Sequence, residues 1–226
     1  SDRVHRIVCP HDGPTNKADC LNWVVEGIRH HEKSAGKRFE IFVLHDSEDI
    51  VHPLSLKLMN HLMPPIHMVQ LPVAPLEIPW TYFTAGTYMD EFAEFHTKDL
   101  LVRERVAGMV PSAGVGTGFS REALDALAGK TQNQLFNVES LTEDYDIGFR
   151  LKDLALKSIL LQFTVERARV VQKGIFRKRE KIQKVQEWIA TREYFPARFQ
   201  DAVRQKSRWI IGIVFQGWQH LGWRGK

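Results

Sequence analysis

The chain has 226 residues, 43% of them hydrophobic and 26% charged, a balance that suits a folded domain with a sizeable core and excludes a disordered or coiled-coil chain. The formal net charge of +4 is scattered apart from one basic run, Arg177 to Lys184, which speaks against a nucleic-acid partner, whose binder would gather its cations on one stripe. Two cysteines, Cys9 and Cys20, are too few for a disulfide framework or a four-cysteine metal site, and no stretch reaches the roughly 18 apolar residues of a membrane-spanning helix.

In chain order, Val4 to Cys9 predicts a short strand, closed by a Pro/Gly turn from Pro10 to Pro14. Leu21, Val24, Val25 and Ile28 recur at helical spacing and predict an amphipathic helix over about Asn16 to Glu32, stopped at Gly36. Phe39 to Leu44 is apolar at nearly every position, the pattern of a strand covered on both faces. A helix is expected from about Leu54 to Leu62, with Pro53 suited to its first turn, and a strand from Ile66 to Val73.

After a Pro-rich connection, a long helical stretch runs from about Thr84 to Ala107. Gly114 to Gly118 reads as a glycine-rich loop entering a helix at Arg121 to Leu127. A short strand is expected at Leu135 to Val138, a short helix at Glu143 to Leu151, and strands at Ile159 to Val165 and Glu187 to Phe195. The tail from Pro196 reads as amphipathic helix. Alternation of strand and helix predicts an α/β fold with a mainly parallel sheet flanked by helices. No repeat or linker divides the chain, so one domain covering residues 1–226 is expected.

Three clusters carry chemistry. Asp46, Ser47, Glu48 and Asp49 follow the buried strand, and ligands of open α/β sheets bind beyond the carboxyl ends of strands. Asp46 and Glu48, two apart, could aim both carboxylates at a hard cation, which takes oxygen ligands; the plainer alternative is a carboxylate capping the next helix. Thr142-Glu143-Asp144 stands before Tyr145 to Leu151. It could supply a general base, or, with Ser140 and Glu143 as a capping box, simply start a helix. Gln205, Arg208 and Trp209 share a helix face. The guanidinium there could suit an anionic leaving group and the indole a sugar ring; the plainer alternative is an ordinary amphipathic helix with a buried Trp.

The order of these clusters resembles the processive family-2 glycosyltransferases, which include cellulose and hyaluronan synthases. Lys17 and Leu21-Asn22 resemble the family's Lys-x-x-x-Leu-Asn segment, and Val115 to Arg121 its glycine-containing segment before the acceptor site. The resemblance runs from about Lys17 to Trp209. It implies a GT-A-type fold, with residues 1–110 as a nucleotide-sugar half and 111–226 as an acceptor half ending in an interfacial helix.

It also implies roles. Asp144, with Glu143 beside it, is the base. Lys17, Asn22, Asp46, Gln205 and Arg208 hold the donor diphosphate, and Trp209, Gly116, Thr117 and Gly118 meet the acceptor. Asp46 and Glu48 hold Mg2+ or Mn2+; Glu replaces the family's second Asp, leaving open whether Glu48 or Asp49 reaches the metal.

The implied reaction is inverting transfer of a hexose-type sugar from a UDP-sugar to a saccharide acceptor in envelope or exopolysaccharide synthesis. The implied setting is the cytoplasmic face of a bacterial inner membrane, reached through segments outside this chain. The family's opening strand and its separate base-gripping Asp motif are not found before Val4, so an N-terminally incomplete fold with weak activity on its own is expected. The rival readings are a catalytically weak binding or assembly module of an envelope complex, and a metal phosphohydrolase built on His45-Asp46.

Overall fold

The computed structural model describes residues 3–79, 81–131, 134–173 and 179–222. Its central sheet is mixed, with strand order β1 (Ile41–Leu44), β5 (Thr117–Ser120), β3 (Met68–Gln70), β6 (Ser158–Leu160). Here β2 (Ile50–Val51) and β4 (Val73–Pro75) lie in a second sheet, of order β2–β9–β4, with β9 (Thr191–Glu193). In the central sheet β5 runs antiparallel to both neighbours and only β3 and β6 are parallel. The α/β class holds, but the sheet is mixed where a mainly parallel one was expected. Residues 41–44 and 117–120 pair side by side, so the two halves of the chain share one sheet.

The apolar run at β1 has the expected cause. Phe42 and Leu44 pack on a core with Met68, Phe119, Leu127 and Leu151, whereas Ile41 and Val43 pack on a second core with Met59, Val69 and Leu71. Alternate strand residues face opposite sides, so both faces are covered. Helices α1 (Lys17–Ala35), α2 (Ser55–Leu62) and α5 (Arg121–Lys130) form close to their expected places. Asn16 caps α1, its Oδ1 accepting from the Asp19 N–H, and Gly36 ends it in a left-handed turn.

Several elements differ from expectation for local reasons. Val4 to Cys9 forms no strand; Val4 and Val8 are exposed, and Ile7 packs against Gly27 of α1. Residues 135–138 are irregular because side chains serve their backbone: Asn22 bonds both polar groups of Phe136, Arg150 donates to the Leu135 carbonyl and Asn16 to that of Val138. The strand expected over Ile66 to Val73 divides at Pro72, which has no N–H to give a ladder, and its ends enter different sheets.

Thr117 and Gly118 belong to the buried central strand and not to a loop. The long helix contains α3 (Phe83–Glu94) and α4 (Leu100–Ala107), joined by a π turn over Phe95–Asp99. Helix α6 (Ile147–Asp153) starts later than expected, leaving Glu143 and Asp144 in the turn before it. Beyond β6, β7 (Thr164–Lys173) and β8 (Arg179–Trp188) form an antiparallel ribbon. It carries part of the basic run, of which Arg177 and Lys178 lie outside the described residues. The tail is α7 (Phe199–Trp209), a π segment at Ile210–Gln216 and α8 (Gly217–Leu221).

Candidate active site

Three elements are tied together by side-chain bonds to backbone. From α1 and its cap, Asn22 and Asn16 hold the stretch at 136–138. From the C-terminal helix, Gln216 donates to the Glu139 carbonyl (2.9 Å) and accepts from the Leu141 N–H (2.8 Å). Gly212 presses on Thr142 so closely that a β-carbon there would sit 2.5 Å from Oγ1. The stretch leading into the Thr142-Glu143-Asp144 turn is thereby held by the start of α1, and the turn itself packs against the tail helix at Gly212.

A third support is Gln70, fully buried at the end of β3. Its Nε2 donates to the carbonyls of Leu71 and Val115, and its Oε1 accepts from the Ala113 N–H and Thr117 Oγ1. All its capacity is spent, three of its four bonds shaping residues 113–117. Within that loop Gly114 has φ +75° and lies against the Asp144 carboxylate, where a β-carbon would overlap it. Left-handed backbone and close approach both demand glycine.

These supports surround a cavity of about 460 Å³ lined by Lys17, Asp46, Glu143, Asp144, Glu193, Gln205, Arg208 and Trp209, among others. Lys17 Nζ lies 2.6 Å from Asp46 Oδ1. Burial works against the charged Lys17, but Asp46, Asp144 and Glu143 outweigh it and hold the ammonium above its ordinary pKa. Burial and the neighbouring Glu143 raise Asp144 to about 6, with Lys17 and two backbone N–H groups pulling the other way. Arg208 makes no ion pair among the described residues. Trp209 stands edge-on to Tyr88 and near Phe92, and Lys206, paired with Glu91, lies over both Tyr88 and Trp209.

Other expected residues lie elsewhere. Asn22 is spent on Phe136, and both Thr117 and Gly118 are interior, Gly118 facing Met59 Sδ. Gly116 lies under Thr191, its N–H bonded to the Leu44 carbonyl. Within the acidic turn, only Asp46 reaches the cavity. The Asp49 side chain is buried, its Oδ2 accepting from the Asp46 N–H and meeting His45 Nδ1, both at 3.0 Å. That bond closes the turn and leaves Glu48 in solvent.

Among the described residues no group of three or more His, Cys, Asp and Glu is set to hold a metal ion. This leaves the His45-Asp46 phosphohydrolase reading without further ligands there. Instead β9 brings in Glu193, which sequence spacing did not indicate. Burial, then Asp49, Asp46 and Glu48, raise its pKa to about 7. Such crowding of carboxylates is what a divalent cation relieves, and one or two carboxylates are enough for magnesium when substrate phosphates complete its shell. Asp46 and Glu193 therefore fit that group as cavity-lining oxygen donors. The overlooked Gln70 did leave a signal, a lone amide in an otherwise apolar strand; Glu193 left none.

The model for "Glycosyl transferase family group 2" matches residues 41–226. The chain is 51% identical over 221 residues, 97% of its length, to bacteriophage adsorption protein B of Escherichia coli strain K12. It matches bacteriophage N4 adsorption protein B of Escherichia coli O157:H7 to the same extent. It spans 29% of the length of each relative. A mixed sheet flanked by helices is consistent with the GT-A-like fold, and the chain belongs to the family-2 glycosyltransferases.

Proposed function

We propose that this domain transfers a hexose-type sugar from a nucleotide-diphosphate sugar, a UDP-sugar by preference, to a saccharide acceptor with inversion at the anomeric carbon. The observation that carries the reading is one cavity lined by Lys17, Asp46, Asp144 and Arg208, residues 29 to 191 positions from Lys17 along the chain. Their charges are arranged for the chemistry. Asp144 takes the proton of the attacking hydroxyl, and a carboxylate with a pKa near 6 is a stronger base than an ordinary one while still ionised at neutral pH. Lys17 and Arg208 stabilise the diphosphate as negative charge collects on it. Trp209 offers a flat apolar face to the acceptor ring.

Asp46 and Glu193 would hold the Mg2+ or Mn2+, with Glu48 outside the cavity. A bound cation would neutralise the leaving diphosphate. Supporting a membrane-surface setting is the apolar tail face, where Ile210, Ile211, Val214, Phe215 and Trp218 are all exposed; no helix among the described residues is long and apolar enough to cross a membrane. A bacterial inner membrane with the domain on its cytoplasmic side, and a role in envelope or exopolysaccharide synthesis, belong to the same proposal. The test is a screen of UDP-glucose, UDP-galactose and UDP-N-acetylglucosamine with the intact protein, with and without EDTA. Donor-dependent sugar transfer that EDTA abolishes and Mn2+ restores is expected; absence of transfer and of hydrolysis with every donor would sink the reading.

A further inference from the structure

His96 is a polar group of the cavity wall to which the chemistry above gives no task. It lies in the π turn between α3 and α4, 2% exposed, and such turns recur at functional sites. Its ring is fixed on three sides. The Val73 N–H donates to Nδ1 (3.4 Å), the ring stacks on Phe92 at 5.6 Å, and Phe95 meets it edge-on at 5.4 Å. With Nδ1 accepting, the ring proton sits on Nε2.

That Nε2 has no partner among the described residues, and neither has the buried Oε1 of Gln205 on the same cavity. Burial keeps His96 neutral, its pKa lowered to about 4. A buried donor without a partner is costly, so a fixed N–H in a cavity wall marks the place of a ligand acceptor.

Resting on the glycosyltransferase reading, we infer that His96 Nε2–H donates to a hydroxyl of the acceptor's terminal sugar and thereby selects that sugar. A hydroxyl both accepts and donates, matching an orphan donor at His96 and an orphan acceptor at Gln205. The neighbouring Phe92 and Trp209 rings suit the apolar face of a pyranose, whereas the anionic donor is drawn to Lys17 and Arg208.

Two substitutions separate the two ring nitrogens. His96→Asn keeps an acceptor near Nδ1 for Val73 but has nothing at Nε2; His96→Gln places an amide N–H near Nε2 and loses Nδ1. Acceptor and donor KM are measured on the intact protein, with cellotetraose and chitotetraose as acceptor probes and the three UDP-sugars as donors, after melting curves show both variants folded. The expected result is an acceptor KM about 10-fold higher for His96→Asn, the size of one lost hydrogen bond, recovery to within about 3-fold in His96→Gln, and unchanged donor KM. Equal acceptor KM in wild type and both variants, a defect in His96→Gln alone, or a change only in donor KM each overturns the assignment of His96. Absence of both transfer and donor hydrolysis by wild type with every pair overturns the underlying reading instead.

Discussion

Gly114 and the Asp144 carboxylate are in such close contact that a β-carbon on Gly114 would overlap Asp144 Oδ2. The loop that Gln70 shapes from below therefore sets where the candidate base can stand. Gly114→Ala is expected to lower stability by about 1–3 kcal/mol, the cost of a non-glycine residue in strained backbone. It should also reduce transfer about 100-fold, since a shift near 1 Å in a reacting group has that effect. Urea unfolding and initial transfer rates measure the two losses.

Asp144 should govern the acid limb of activity. With Asp144 as the proposed base, transfer requires the ionised carboxylate, so the rate is expected to fall as pH drops through about 6. Asp144→Asn should lose about 10²–10⁴-fold in kcat while retaining donor affinity. The stability effect has the opposite sign. The folded value of about 6 exceeds the ordinary 3.8, so the native state holds this proton more tightly, and stability contributed by the group falls as pH rises between those values. Asp144→Asn is thus expected to be more stable than wild type at pH 7 and to lose that advantage below about pH 4, as followed by melting temperature against pH.

Lys17, which lines the same cavity, pulls the Asp144 pKa down. Lys17→Met is expected to move the acid limb of the rate profile to higher pH and to weaken UDP-sugar binding. Its ion pair with Asp46 is partly exposed, 43% and 37% for the two side chains, so the stability change should stay within about 1 kcal/mol. A pH–rate profile beside a denaturation curve distinguishes this from general damage.

Asn22 serves the fold. Its carboxamide makes two 2.9 Å bonds to the Phe136 backbone, and Asn22→Ala leaves both groups without it. A stability loss of about 1–3 kcal/mol is expected, with UDP affinity of the folded fraction unchanged by calorimetry.

Gly212 and Thr142 join the tail helix to the Glu143-Asp144 turn. Gly212→Ala forces a β-carbon against Thr142 Oγ1 and should cost about 1–3 kcal/mol as an overpacked contact. Adding Thr142→Ala removes the obstruction, so the double variant should be more stable than the sum of the single changes predicts. A double-mutant cycle by chemical denaturation reads this coupling.

Much of the fold was legible because it follows short-range rules. The apolar spacing in α1 and its Asn16 and Gly36 ends, the run at β1, and α2 after Pro53 can each be read within one turn or one strand. Legibility failed where a partner distant in sequence decided the outcome. Phe136 lost strand character to the Asn22 side chain, and Thr117 and Gly118 became strand because Ile41–Leu44 and Met68–Gln70 lie on either side to pair with them. The candidate site divides in the same way, since motif order named Lys17, Asp46, Asp144 and Arg208 but also named Asn22 and Glu48, which the folded chain directs elsewhere.

By itself, then, the sequence determined the kinds of element, the family and the chemical types at the cavity, because periodicity and side-chain chemistry are local properties. Only tertiary structure decided the membership of that cavity. Closure of the Asp46–Asp49 turn expelled Glu48, a strand pairing across the second sheet brought in Glu193, and a π turn set His96 into the wall. Each depends on which distant backbone groups find one another, and spacing along a chain carries no record of that.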